Sequence, residues 1–296
     1  MAGHPAEADQ LTNVRADNLM HATVEVARRA DRAEIEFCAL AAATHGQVAI
    51  LDAGGGRAVF SRPGSPLNKA LGVGLQGPVT DRDLDRLEAF YRERGAPTQI
   101  EVCPLACSDL AARLCARGYV LEAFENELGT WLVPGDTGSH GTGDPGEAVP
   151  GISISLATPE EDDLWTRVVS EGFAAAEGHV GGGPQGPPLT TGQVMEMMSQ
   201  FGHPKIQRYL AWIDGMPAGG GAAWTHEGVL GIFGTSTLPP YRRRGVQAAI
   251  TIRAIADGRG RADLAIATTA PGSTSQRTFE RLGFRVLYTR AVFVRA

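Results

Sequence analysis

The chain has 296 residues, with 27 Lys and Arg against 33 Asp and Glu for a net charge of -6, and it is 43% hydrophobic and 20% charged. That is globular composition, the length favours two domains with a core each, and the acidic balance supplies no basic field for nucleic acid or an anionic membrane surface. No apolar run reaches the roughly 18 residues of a membrane span, and no basic start leads into an apolar core, so neither membrane insertion nor secretion is expected. Cys38, Cys103, Cys107 and Cys115 show no zinc spacing. Cys103 and Cys107 allow a metal or redox pair, but buried free thiols are the plainer assignment, in keeping with a reducing cytoplasm and no metal.

Residues 70–121 read in order as strand, helix, strand, helix, Arg117-Gly118-Tyr119 and strand. Leu84, Leu87 and Tyr91 form the apolar stripe of the first helix, and Ile100 and Val102 mark a strand. Residues 134–150, PGDTGSHGTGDPGEAVP, cannot bury apolar surface or sustain an element, so they predict a linker between a first domain, 1–133, and a second, 151–296.

The second half alternates strand-like and helix-like segments, an α/β (α+β) pattern. A strand near Ile152 precedes a helix over 159–175 with Leu164, Trp165, Val168 and Val169 on one side. A glycine- and proline-rich stretch, 178–188, precedes a second helix whose Val194, Met195, Met197 and Met198 read as core. Three antiparallel strands follow, turning at Asp214-Gly215 and Glu227-Gly228. After Pro239 and Pro240 comes YRRRGVQ, then a helix with Ala249, Ile252 and Ala256 on a buried stripe. A strand over 264–268, a helix over 274–282 ending at Gly283 and a strand over 284–294 close the chain.

A strand feeding a basic, glycine-containing loop that opens a helix is an anion site in principle. The first helical N-H groups have no partner inside the helix, and the helix dipole favours negative charge. Gly245 lets backbone approach a ligand, while Arg242, Arg243 and Arg244 close over it, an arrangement suited to a diphosphate. On its own, such an arginine run is more commonly a solvated surface. No GxxxxGK followed by Ser or Thr occurs, which disfavours a phosphate-loop nucleotide site.

The order of elements together with PYRRRGVQAAI and FERLGF (residues 279–284) resembles the GNAT N-acetyltransferase superfamily over about residues 151–296. The superfamily signature, Arg or Gln, two residues, Gly, one residue, Gly or Ala, reads here Arg242-Arg243-Arg244-Gly245-Val246-Gln247. Gln247 departs from it, although a glutamine at a helix start can point outward. The resemblance implies acetyl-CoA as co-substrate, with its diphosphate on the 242–248 loop, Ala248 included. Its pantetheine arm would lie in a gap between the strand ending at Thr237-Leu238 and the strand at 264–268. Backbone near Thr235 and Thr237 would pair with the pantetheine, Ser275 and Gln276 would reach the arm, and a strand N-H would polarise the thioester carbonyl.

It further implies direct transfer of acetyl to an amine, small molecule or peptide, since the second half has no cysteine for a covalent relay. Another acyl group, or a CoA-binding module without catalysis, are the alternatives. The tyrosine expected four residues before the glycine of the GF pair is Phe279, and the expected strand glutamate is missing from Ile232-Phe233-Gly234-Thr235. Glu171 and His179, bordering the mobile-looking stretch, are the candidates for proton transfer, ahead of Glu177, His226, Glu227 and Tyr288. Residues 70–121 then resemble a degenerate GNAT copy, which makes two GNAT-like domains, each a mixed, mostly antiparallel central sheet flanked by helices. In the first copy GPVTDR replaces the arginine loop, and Asp81, Asp83 and Asp85 would repel a diphosphate. Such a copy could wall the acceptor pocket, support a homodimer or stabilise its neighbour.

Overall fold

The computed structural model describes residues 22–46, 48–133, 149–175 and 190–296. The first half begins with α1 (Val24–Ala42), capped by Thr23, whose Oγ1 accepts from the Val26 N-H at 3.2 Å. Then come β1 (Ala49–Ala53), β2 (Gly56–Phe60), β3 (Lys69–Leu71), α2 (Asp81–Arg92), β4 (Thr98–Val102), α3 (Leu110–Ala116) and β5 (Val120–Trp131). The second half holds β6 (Ser153–Leu156), α4 (Asp162–Ala174), α5 (Thr191–Ser199), β7 (Gln207–Ile213), β8 (Met216–His226) and β9 (Val229–Thr237). It ends with α6 (Val246–Gly258), β10 (Leu264–Thr269), α7 (Thr274–Arg281) and β11 (Arg285–Arg295).

The eleven strands among the described residues form one sheet, in the order β1-β2-β3-β4-β11-β5-β10-β9-β8-β7-β6. Only β3 with β4 and β9 with β10 pair in parallel. Hairpins β7-β8 and β8-β9 turn where expected, with Asp214, Gly215, Glu227 and Gly228 all at positive φ, the conformation that two-residue turns between twisted strands require. The last strand of each half crosses into the other. β11 lies between β4 and β5, and β5 lies between β11 and β10, both antiparallel to their neighbours. The expected division at 134–150 falls between β5 and β6, and the two halves nevertheless share one hydrogen-bonded sheet.

Period-two alternation sends neighbouring side chains to opposite faces. On one face lie α1, α4 and α5, with Ile35, Phe37, Trp165, Val168, Val194 and Met198 buried together. The N-terminal part of α1 packs Ala27, Ala30 and Ala33 on Val229, Leu264 and Ile266 of the second half. On the other face, α6 and α7 bury Ile250, Ala254 and Phe279 against Leu230, Ile232, Ala265 and Ala267. There too α2 and α3 bury Leu84, Leu87, Tyr91, Leu110 and Leu114 over β1–β4. Each such large apolar side chain contributes about 1.5–3 kcal/mol by leaving water. No helix among the described residues is long and apolar enough to cross a membrane.

Candidate functional site

β9 and β10 run parallel for only three pairs, Val229-Leu264, Leu230-Ala265 and Gly231-Ile266, and then separate. On the far edge of β9 the register to β8 slips by one residue: Phe233 faces Ala222, and Ser236 faces Gly220. Gly234 takes the left-handed conformation there, φ 58°, as a bulge of this kind requires. Gly234 and Thr235 therefore have no register partner on either neighbouring strand. The bulge also turns Thr235 toward α6, so that its methyl would sit 2.8 Å from a Cβ at Gly221. Ser236 turns to the opposite face and donates to the Val169 carbonyl at 2.9 Å.

The chain leaving β9 passes Thr237 and Leu238, the latter's N-H bonded to the Ala218 carbonyl at 2.9 Å, and enters the basic loop. Arg243 (φ 61°) and Gly245 (φ 90°) are both left-handed and flank Arg244, so the main chain curls before α6 begins. Curled backbone of this kind makes an anion-binding concavity. Gly245 is the N-cap of α6, no side chain caps the helix, and its first turn holds no acid. The orphan N-H groups at Val246, Gln247 and Ala248 thus keep their capacity for a ligand. Val246 itself is buried and anchors the turn in the core. Arg242 donates to the Gly172 carbonyl at 3.2 Å, Arg244 lies 5.8 Å over the Tyr241 ring, and Arg243 and Arg244 are exposed.

Gln247 does not point outward. Its Nε2 donates to Ser275 Oγ at 2.8 Å and reaches Thr235 Oγ1 at 3.5 Å, tying β9 to the start of α7 across the mouth of the gap. Gln276 is engaged by the Gly272 N-H, Asn126 and Glu280. Phe279 is 2% exposed and packs edge-on against Phe284 with ring centres 5.0 Å apart, a core residue. Glu171 is exposed near the end of α4, and Glu177 and His179 lie outside the described residues. His226 stacks on Trp224 with ring centres 5.0 Å apart, and Glu227 is exposed at the hairpin tip. Tyr288 is buried under α1, donating to Asp31 at 2.6 Å. Among the thiols, Cys38 and Cys103 are buried, Cys107 is half-buried and Cys115 is exposed, because α3 turns only Leu110 and Leu114 fully inward.

The sequence reading missed a cluster of buried charge beside the gap. On the α1 face, Asp31 and Glu34 from α1 meet Lys69 of β3, Glu101 of β4, Glu125 and Glu127 of β5, Thr268 of β10 and Arg290 of β11. Arg290 is fully buried and pairs with Glu34 at 2.6 Å, Glu127 at 3.2 Å and Asp31 and Glu125 at 3.4 Å. Burial raises the Asp31 carboxyl to about 6 against the pull of Arg290. Burial likewise raises Glu34, but Arg290 and Lys69 outweigh it and hold Glu34 well below the usual carboxylate range. Carboxylate oxygens of Glu34, Glu101 and Glu125 lie within 4.8 Å of one another. Lys69 Nζ reaches into that space, 2.9 Å from Glu34 and 3.0 Å from Glu101, as a cation of the chain's own. The sequence signal was the alternation Glu125-Asn126-Glu127, which reads as a solvated strand face.

The fold is that of the GNAT acetyltransferases in tandem. A GCN5-related N-acetyltransferase from Kribbella flavida superposes with a TM-score of 0.61 at 20% identity, over 91% of this chain and 95% of that one. A tandem GNAT protein from the clavulanic acid biosynthesis pathway, solved without acetyl-CoA, gives 0.54 at 17% identity, over 93% and 95%. A GCN5-related N-acetyltransferase from Sphaerobacter thermophilus gives 0.52 at 15%, over 84% and 75%. No family model matches the chain, and no curated protein matches it.

Proposed function

We propose that the second half binds acetyl-CoA between β9 and β10 and transfers its acetyl group directly to an amine, of a small molecule or a peptide. The observation that carries this reading is the uncapped, arginine-preceded start of α6 standing at the end of a strand that parts from its parallel neighbour after Gly231. The α6 N-H groups and Arg242–Arg244 would hold the diphosphate. The pantetheine would run past Thr235, Gln247 and Ser275, exchanging bonds with the Gln247 amide. Backbone donors at the Gly234 bulge would face the thioester carbonyl, where negative charge develops as the amine attacks. No cysteine lies in the second half, and burial pushes the Cys38 and Cys103 thiols up to about 12, away from the thiolate a covalent relay needs, which supports transfer in one complex without a covalent acyl-enzyme. The first half keeps the scaffold without this site, and the four free thiols suit the cytoplasm.

The test is thermal shift with acetyl-CoA, CoA and ATP on the wild type and on a variant with Arg242→Ala and Arg244→Ala. The CoA ligands should raise Tm selectively. The double variant should lose most of that rise, because two charge-assisted contacts of about 1.5–3 kcal/mol each are removed. No shift at a large excess of acetyl-CoA would overturn the reading.

A further inference from the structure

Thr268 stands where the gap meets the buried charge. It lies two residues past Ile266, the last β10 residue paired with β9, and is half-buried. Its side chain shares the α1 face with Ile266, opposite the face on which α6 packs. A thioester reaching through the gap from the α6 side would therefore meet an acceptor on the side where Thr268 stands. Behind it, in register on β5, is Glu127, 0% exposed.

The hydrogen bonds around Thr268 Oγ1 fix a proton. The oxygen lies 2.8 Å from Glu127 Oε2, 2.9 Å from Glu34 Oε2 and 3.0 Å from Arg290 Nη2. The arginine can only donate, and a hydroxyl has one proton and two acceptor sites. One carboxyl must therefore carry a proton and donate to Thr268, while the hydroxyl donates to the other carboxylate. Glu34 receives two cations, Lys69 at 2.9 Å and Arg290 at 2.6 Å, and is the ionised one. The proton belongs to Glu127, whose second oxygen, Oε1, is buried with no hydrogen-bond partner at all. A carboxylate left in that state would be costly, whereas a protonated carboxyl tolerates it.

On the reading that this half is an amine acetyltransferase, we propose that Thr268 and Glu127 form the proton relay of the acceptor side, with Thr268 meeting the amine and Glu127 storing its proton. In the active form Glu127 is ionised. The amine nitrogen attacks the thioester carbon. As the C-N bond forms, the nitrogen gives a proton to Thr268 Oγ1, and the Thr268 hydroxyl proton passes to Glu127 Oε2. The C-S bond breaks with its electron pair on sulfur, and the proton returns from Glu127 Oε2 through the Thr268 hydroxyl to the CoA thiolate, giving amide and free thiol.

The groups that act on Glu127 are Asp31 and Glu34 from α1, Cys103 just past β4, and Tyr288 and Arg290 from β11, with Lys69 of β3, Glu101 of β4 and Glu125 on its own strand held in the same cluster by Glu34 and Arg290. Burial, the largest influence, raises Glu127 to about 8 although Arg290 opposes it, with the Glu34 charge adding to the rise. Glu127 is thus protonated at neutral pH and ionises as pH rises through about 8.

Infrared difference spectra of the full chain over about pH 6 to 10 test this, with acetyl-CoA binding followed in parallel by calorimetry. The wild type should show a protonated-carboxyl band that disappears with a midpoint near 8 and shifts when acetyl-CoA is added. Glu127→Gln should lack that band, which separates it from that of Glu125, also raised by burial. Thr268→Val should keep a protonated-carboxyl band but lose its response to acetyl-CoA, so the test stands even if Glu127→Gln fails to fold. Acetyl-CoA that binds the wild type while the band is absent or unmoved overturns the relay alone. Acetyl-CoA that fails to bind overturns the parent reading, and the relay with it, whatever the titration shows.

Discussion

Two helices begin at corresponding points in the two halves, α2 after β3 and α6 after β9, and they begin in opposite ways. At α2, Thr80 Oγ1 accepts from the Asp83 N-H at 3.2 Å and Asp83 accepts from the Thr80 N-H at 3.0 Å, a closed capping box. Asp81 follows and pairs with Arg113 at 2.7 Å, while Arg117 takes Asp85 and Glu88. The positive end of that helix is already answered by the chain itself. At α6 a glycine stands in the cap position, the first turn carries no acid and three arginines precede it. The splayed strands differ in the same sense: Asp31 accepts the Gly72 N-H at 3.1 Å just past β3, whereas Gly234 and Thr235 have no register partner past the end of the β9-β10 pairing. One scaffold thus leaves helix-start and strand groups open at α6, where local hydrogen bonds are unmade, and closes them at α2, where they are completed.

The division of labour depends on the halves remaining joined, and separating them is the strongest way to break the comparison. Residues 151–296 alone would lose β5 from between β10 and β11, exposing two long strand edges and the faces that α1 covers. That fragment should show no cooperative melt by circular dichroism and no response to acetyl-CoA, while coexpression with residues 22–133 should restore both. A fragment that melts cooperatively would mean that the exchanged strands add little.

This coupling is also where the sequence stops being legible. The β7-β8-β9 meander and the start of α6 at the basic loop follow from signals a few residues long and formed as expected, but the buried face of α6 is Val246, Ala249, Ile250 and Ala254, whereas the expected Ile252 and Ala256 are only half-buried. The exchange of β5 and β11 depends on pairings between distant segments, such as Val292 with Ala123, which no local pattern encodes. The helix α1 went unrecognised because Asp31 and Glu34 interrupt its apolar face, yet both are buried through partners on β3 and β11. At the candidate site, the arginine loop was readable because it is contiguous. Glu127 and Thr268 are 141 residues apart and were not.

Arg290 tests the join more gently. It is the second half's cation in a cluster whose five acids, Asp31, Glu34, Glu101, Glu125 and Glu127, all come from the first half. Arg290→Met keeps side-chain length and leaves that acidity buried without its main counter-charge, which should cost about 3–5 kcal/mol in chemical denaturation. Lowering the pH should recover part of the loss, since protonation relieves the uncompensated carboxylates. An equal loss at every pH would show that Arg290 acts through packing rather than charge.

The smallest expected effect sharpens the comparison most. Thr80→Ala opens the α2 capping box without adding charge, and a lost N-cap of this type costs about 1 kcal/mol. The variant should melt slightly lower than the wild type and gain the same stabilisation from acetyl-CoA, because Asp81, Asp83 and Asp85 still surround the freed N-H groups. Adding Asp81→Asn and Asp83→Asn removes that screen and leaves α2 with an open start like that of α6, but without arginines. If calorimetry then detects a second, weak site for CoA, the first half was kept from binding by its acids alone. Binding still confined to one site would show that an open helix start is insufficient, and that the arginine loop and the parted strands are both required.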